Sequence, residues 1–176
     1  IVLLCGSFGR ALSLHSNVSE MKPIPTFYND TKYRSRLEAR WAMFFNSIGI
    51  FADYEPCDIG KGYIPDFYLT GMIFNKLTIS EIKPLPPNEK YVEYLESVRI
   101  PGGSDFYIFV GNPSFYQPDG IVIYGANGNY IDRGFELQVC PHCKYYTRRY
   151  CSCSYFPPNP NWQDASQKAI DFRFDL

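Results

Sequence analysis

Phe106-Tyr107-Ile108-Phe109-Val110 runs apolar without a break, and this stretch limits the fold more than any other. A strand turns successive side chains to opposite faces, so one that is apolar at every position must be covered on both sides. It belongs in the interior of a layered sheet. The covering elements are visible in the periodicity. Tyr33, Leu37, Trp41, Phe44, Phe45 and Ile48 recur at helical spacing and form one stripe, which is core and not a cofactor site. A second helix is expected from about Asn88, with Tyr91, Tyr94, Leu95 and Val98 on one side and Pro101-Gly102-Gly103 ending it. Strands are expected over Phe51 to Cys57, Gly62 to Leu69, Leu77 to Lys83, Asp105 to Gly111 and Gly120 to Tyr124. Helix, three strands, helix, strand is the order of a mixed α/β layer with at least one crossover connection. Pro157-Pro158-Asn159-Pro160 reads as a stiff spacer. Beyond it, Trp162 to Phe174 reads as a final helix docked through Trp162, Ile170 and Phe172.

Polar residues within this frame are placed with purpose. In Leu77-Thr78-Ile79-Ser80-Glu81-Ile82-Lys83, alternation sends Glu81 and Lys83 to one face and Ile82 to the opposite layer. Pro65-Asp66-Phe67 lies in the preceding strand, and Thr70-Gly71 with Asn75-Lys76 reads as the turn of a hairpin that brings Asp66 close to Glu81. Glu38, at about 100° per residue, falls at the margin of the aromatic stripe, where it would be neither freely solvated nor fully buried. Hard cations such as Mg²⁺ take carboxylate oxygens and keep several waters. A cation held this way activates water and polarises a phosphoryl oxygen, and Lys83 would orient the water or offset charge developing on the phosphate. Arg34, Arg36 and Arg40 cluster beside Glu38 and are candidates for phosphate contacts.

Each of these residues has an ordinary reading when taken alone. Glu81 with Lys83 can be a surface ion pair on an edge strand, Asp66 a turn-forming acid after proline, and the arginines a solvated helix face. As an ordered set they say more. Tyr33-Arg34-Ser35-Arg36-Leu37-Glu38-Ala39-Arg40-Trp41-Ala42, then Tyr54-Glu55-Pro56, Pro65-Asp66-Phe67 and Glu81-Ile82-Lys83-Pro84, resembles the PD-(D/E)xK nuclease superfamily. More narrowly, it is similar to small nucleases common in phages and bacteria. The resemblance implies a restriction-endonuclease-like core of αβββαβ order with a mixed central sheet flanked by helices. It implies an enzyme, a DNA endonuclease that hydrolyses phosphodiesters with Mg²⁺ or Mn²⁺ in the cytoplasm of a bacterial or phage-infected cell. Asp66 and Glu81 would be metal ligands, Lys83 the catalytic lysine, and Glu38 an accessory ligand of metal or water. The alternative is a nucleic-acid-binding or assembly protein that keeps the fold without the chemistry. A homodimer acting on two strands stays open.

Charge narrows the mode of binding. The formal net charge of -1 argues against broad adhesion to a polyanion, so nucleic-acid contacts must rest on local clusters. One cluster is the arginine group already named. Another is Lys144, Arg148 and Arg149, interleaved with Tyr145, Tyr146 and Tyr150, which is suited to phosphates and exposed bases unless it is a solvated loop. It lies between Cys140-Pro141-His142-Cys143 and Cys151-Ser152-Cys153. Four thiolates of Cys140, Cys143, Cys151 and Cys153 suit a structural tetrahedral Zn²⁺, with His142 a substitute ligand, and two disulfides in an oxidising compartment are the competing reading. Cys5 and Cys57 read as plain thiols, and neither His15 nor His142 sits in a catalytic word.

The expected organisation is a leader over 1–20, a nuclease core over 21–136, a zinc knuckle over 137–156 and a C-terminal helical segment over 157–176. Met21 reads as a natural start. The apolar run from Ile1 is too short to cross a bilayer, so no membrane partner is expected. Asn17-Val18-Ser19 and Asn29-Asp30-Thr31 fit the glycosylation pattern but carry no weight.

Overall fold

The structure, a computed structural model, describes residues 22–71, 74–98, 104–124, 131–139, 146–147 and 160–174. A small hairpin comes first, β1 (Thr26–Tyr28) and β2 (Thr31–Tyr33). Its two-residue turn places Asn29 and Asp30 at φ 48° and 61°, the left-handed pair that suits tight hairpins. Helix α1 (Arg36–Ser47) follows, then β3 (Ile50–Tyr54), β4 (Phe67–Gly71) and β5 (Phe74–Lys83). After α2 (Glu89–Ser97) come β6 (Asp105–Val110), β7 (Tyr116–Tyr124) and β8 (Ile131–Glu136). The pair β9 (Gln138–Val139) and β10 (Tyr146–Thr147) and helix α3 (Pro160–Asp171) complete the described chain.

Six strands form one mixed sheet in the order β3-β4-β5-β6-β7-β8. Its only parallel pair among the described residues is β5 with β6, joined by the α2 crossover, and the neighbouring pairs are antiparallel. The expected run of helix, three strands, helix and strand is thus present as α1-β3-β4-β5-α2-β6. The apolar β6 lies inside the sheet and divides its residues between two cores. Tyr107 and Phe109 join Trp41, Phe44, Phe45, Phe67, Ile82 and Trp162 under α1 and α3. Phe106 and Ile108 join Ile79, Val92, Leu95, Ile121 and Ile123 under α2. Gly120 makes room in β7: a Cβ there would come within 2.5 Å of the Phe135 ring.

Several expectations need correction. Tyr33 does not begin the helix; it ends β2, and the first helical residue is Arg36, because the side chain of Ser35 accepts from the Glu38 amide and caps the helix. Asn75 and Lys76 are strand residues, since Gly71 pairs with Phe74, so the hairpin connection is tighter than their turn chemistry suggested. The strand expected over Gly62 to Leu69 begins only at Phe67, and the one over Phe51 to Cys57 ends at Tyr54. Helix α3 starts at Pro160 and ends at Asp171. It packs on α1 through Trp162, with Ala165 and Ala169 as its buried partners rather than Ile170, which is half-buried, or Phe172. Phe172 is exposed and touches Tyr28 only edge-on. Among the described residues no helix is long and apolar enough to cross a membrane.

Candidate active site

The hairpin of β4 and β5 sets the site. Phe67 pairs with Ser80 in antiparallel register, so Asp66, the residue just before β4, lies at the end of the ladder near Glu81 on β5, close enough for the two charges to act on each other. Both are buried, Asp66 at 2% and Glu81 at 5% exposure. Because β5 is an interior strand, Glu81 and Lys83 are not the edge-strand surface pair that the sequence alone allowed. Lys83 Nζ donates to Glu81 Oε1 at 2.5 Å. Tyr91 Oη donates to the same oxygen at 3.1 Å, and Tyr63 Oη donates to Oε2. Glu81 is therefore held by one ammonium and two phenols.

Those donors stay protonated. Burial, and then the Glu81 charge, pushes the Tyr63 phenol far up and the Tyr91 phenol up to about 12. Burial alone would lower Lys83, yet the Glu81 carboxylate overrides it and raises the ammonium above its ordinary value. The ammonium also lies 4.8 Å from the centre of the Tyr91 ring, over its face.

Glu38 arrives from α1 and is buried, not marginal, at 8% exposure. It closes a reciprocal cap: Ser35 Oγ donates to Glu38 Oε1 at 2.8 Å and accepts from the Glu38 amide at 3.2 Å. Its other oxygen, Oε2, accepts from Tyr54 Oη at 2.5 Å and from the Arg34 amide at 3.2 Å. Helix start and site are thus one structure.

Arg34 links the acids. Its Nη2 pairs with Asp66 Oδ1, its Nε with Glu55 Oε1 at 2.7 Å, and the same Nε lies 4.0 Å from Glu38 Oε2. Glu55 is bound into the arrangement by its amide, which donates to the Asp66 carbonyl at 3.0 Å, and by a left-handed backbone at φ 47°. A non-glycine residue in that region is costly and needs surrounding structure to hold it. The remaining Asp66 oxygen, Oδ2, accepts from the Ile82 amide at 2.7 Å.

The other predicted contacts lie elsewhere. Arg36 and Arg40 belong to α1 but do not join the acids; Arg40 Nη1 donates to Asn112 Oδ1 at 3.4 Å. The Nε atoms of both are enclosed without a hydrogen-bond partner among the described residues. Cys140, Cys143, Cys151, Cys153, Lys144, Arg148 and Arg149 lie outside the described residues. Sequence reasoning missed Tyr54, Tyr63 and Tyr91 as donors and Glu55 as the second partner of Arg34. The Ser35-to-Glu38 spacing of a capping box was a readable signal for one part of this. The tyrosines had none, because a tyrosine in a strand-rich chain fits a core position equally well.

Electrostatics describe the unmet need of the site. Burial, then the neighbouring charge of Glu81 and to a lesser degree of Glu38, pushes Asp66 up to about 7, against the lowering effect of the Ile82 amide and Lys83. Four carboxylates, those of Asp66, Glu81, Glu38 and Glu55, meet two cations, Arg34 and Lys83. Ionised together they leave two negative charges uncompensated. An oxygen-only donor set with that deficit fits a hard dication. As they stand, however, no three acidic, histidine or cysteine side chains among the described residues form a group that could hold an ion; their oxygens are turned to Arg34, Lys83, the tyrosines and backbone amides. Neither family models nor curated proteins match this sequence, and no solved structure matches the chain.

Proposed function

We propose that this chain is a metal-dependent nuclease of the PD-(D/E)xK superfamily with a restriction-endonuclease-like core, and that it acts on DNA as an endonuclease. The observation that carries the reading is the nearness of two buried acids, Asp66 just before β4 and Glu81 on β5, each raising the cost of the other's charge, with Lys83 on the Glu81 carboxylate at 2.5 Å. The ordered set of Glu38, Asp66, Glu81 and Lys83 is what the resemblance to that superfamily rests on.

Asp66 and Glu81 would hold Mg²⁺ or Mn²⁺, which when bound supplies Lewis-acid polarisation of the phosphodiester and a more acidic water. The residues of the chain divide the rest. Lys83, kept as an ammonium by Glu81, can donate but cannot accept a proton, so it stabilises negative charge on the phosphate or holds the attacking water by donation. Tyr63 and Tyr91 fix the Glu81 carboxylate through both oxygens. Glu38, whose two oxygens are engaged by Ser35, Tyr54 and the Arg34 amide, orients the start of α1 and would be an accessory ligand of the metal or its water. Arg36 and Arg40, half-exposed on α1, are the phosphate contacts.

The test is incubation with plasmid and with duplex, single-stranded and branched oligonucleotides, in Mg²⁺, in Mn²⁺ and in EDTA. Wild type is expected to cut in either metal and not in EDTA, and Glu81→Ala and Lys83→Ala to leave every substrate intact. A wild type that binds nucleic acid yet cuts nothing in either metal would replace the enzyme with a binding protein on the same fold.

A further inference from the structure

Among the residues that touch the acids, Arg34 is unlike the others. Tyr63, Tyr91 and Lys83 hold Glu81, whereas the guanidinium of Arg34 spans Asp66 and Glu55 and comes within 4.0 Å of Glu38. It is the one cation among the described residues that bridges acids from three separate segments. A planar guanidinium suits this, because its fork offers separate N–H groups to two carboxylates at once. Its side chain is 55% exposed, while that of Asp66 is 3% exposed. Its backbone is fixed, since the Arg34 amide donates to Tyr54 Oη at 2.9 Å and to Glu38 at 3.2 Å. The side chain therefore has solvent to move into without displacing the main chain.

Resting on the reading of Asp66 and Glu81 as metal ligands, we propose that Arg34 is the resident counter-cation of the metal site: its guanidinium and a divalent ion compete for Asp66 Oδ1. In the metal-free protein Arg34 holds Asp66, Glu55 and Glu38 together against their mutual repulsion. Asp66 Oδ2 accepts from the Ile82 amide at 2.7 Å and Oδ1 pairs with Arg34, so an ion drawing on Oδ1 meets the guanidinium there, and like charge sets the two cations in competition. Glu55 then retains Arg34, 2.7 Å away. The competition makes Arg34 a positioning residue that sets metal affinity.

The proposal is tested by calorimetric titration of Mn²⁺ into the full chain without nucleic acid, comparing wild type with Arg34→Met, Arg34→Lys and Arg36→Met. Arg34→Met is expected to bind Mn²⁺ about tenfold more tightly than wild type, the equivalent of one charge-assisted hydrogen bond no longer broken. Arg34→Lys, which cannot fork between two carboxylates, is expected to fall between them, and Arg36→Met to match wild type. In EDTA, Arg34→Met should melt below wild type, and saturating Mn²⁺ should narrow the gap. A merely structural role for Arg34 predicts the reverse, since loosened acids bind an ion less well. Should wild type bind Mn²⁺ while Arg34→Met and Arg34→Lys bind it equally or more weakly, or should Arg36→Met tighten binding as much, the counter-cation role is overturned and the metal site stands. If none of the four proteins binds Mn²⁺, the metal-site reading falls, and this inference with it.

Discussion

The two faces of the central sheet are built from the same strands but for different ends. On the α1 and α3 side, Trp41, Phe44, Phe45, Phe67, Tyr107, Phe109 and Phe135 make a continuous aromatic core, in which Trp41 lies 4.6 Å from Phe109 and Tyr107 5.2 Å from Phe135 between ring centres. On the α2 side the core is mainly aliphatic, from Ile79, Ile108, Ile121, Ile123, Val92 and Leu95, and at one end it gives way to Glu81, Lys83, Tyr63 and Tyr91. A single strand serves both sides: Ile82 enters the aromatic core while Glu81 and Lys83 on either side of it face the polar group. The difference shows how buried charge is tolerated here. Buried acids are costly unless paired and hydrogen-bonded, and a well-packed opposite face holds the strands in the register that pairing requires.

Damage to the two faces should therefore separate cleanly. The largest effect is expected from Phe44→Ala, which empties a fully buried site in the aromatic core and should cost about 3–5 kcal/mol in denaturant unfolding. Cleavage per folded molecule should stay near wild type. The opposite pattern is expected of Lys83→Met. With the ammonium gone, cleavage in Mg²⁺ should fall by roughly 10²–10³-fold, while the unfolding midpoint shifts less than for Phe44→Ala because Tyr63 and Tyr91 still donate to Glu81. Comparable losses of stability and of activity in both variants would mean that the faces are not independent.

The two faces also differed in how far the sequence disclosed them. Trp41, Phe44 and Phe45 announced the aromatic side by spacing alone, and the unbroken run of β6 announced that both sides were covered. Period-two alternation placed Glu81 and Lys83 together. What escaped notice was local or short. The hairpin of β1 and β2 has three residues per strand, too few for a periodic signal, and its Asn29-Asp30 turn was read only as part of a glycosylation triplet. Strand β8, Ile-Asp-Arg-Gly-Phe-Glu, holds Gly134 at φ 72° and two charged residues in sequence, so nothing in it resembles a strand until β7 pairs with it. In the site, the acids were legible because few residue types do their chemistry. Their phenolic donors were not, because Tyr63 comes from the loop before β4 and Tyr91 from α2, and only the tertiary fold brings them to Glu81.

The polar end of the α2 face should also respond to pH. Asp66 is raised from 3.8 to about 7 in the fold, so the folded protein binds a proton more readily than the unfolded chain between those values. For an acid shifted in this direction, its contribution to stability falls as pH rises through that window and is lowest above it. Denaturant unfolding in EDTA should therefore show the metal-free protein losing stability from about pH 4 to pH 7 through this group, and Asp66→Asn should flatten the slope. An unchanged slope in Asp66→Asn would assign the pH dependence to other groups.

The smallest effect tests whether Glu81 needs all of its donors. Tyr91→Phe deletes a single hydrogen bond of 3.1 Å and keeps the ring that lies beneath the Lys83 ammonium. One phenolic donor lost from a carboxylate that retains Tyr63 and Lys83 should cost about 1.5 kcal/mol, the low end for a bond to a charged group, and cleavage should drop less than tenfold. Tyr63→Phe should cost more, because it strips the only donor recorded for Oε2 among the described residues and does so at 9% exposure, where water is a poor replacement. The ratio of the two effects, read as cleavage rate in Mg²⁺ alongside the unfolding midpoint, distinguishes a carboxylate fixed through both oxygens from one anchored chiefly by Lys83. Equal and negligible losses would leave the lysine as the sole determinant of Glu81 geometry, and the tyrosines would then belong with the packing of the α2 face rather than with its chemistry.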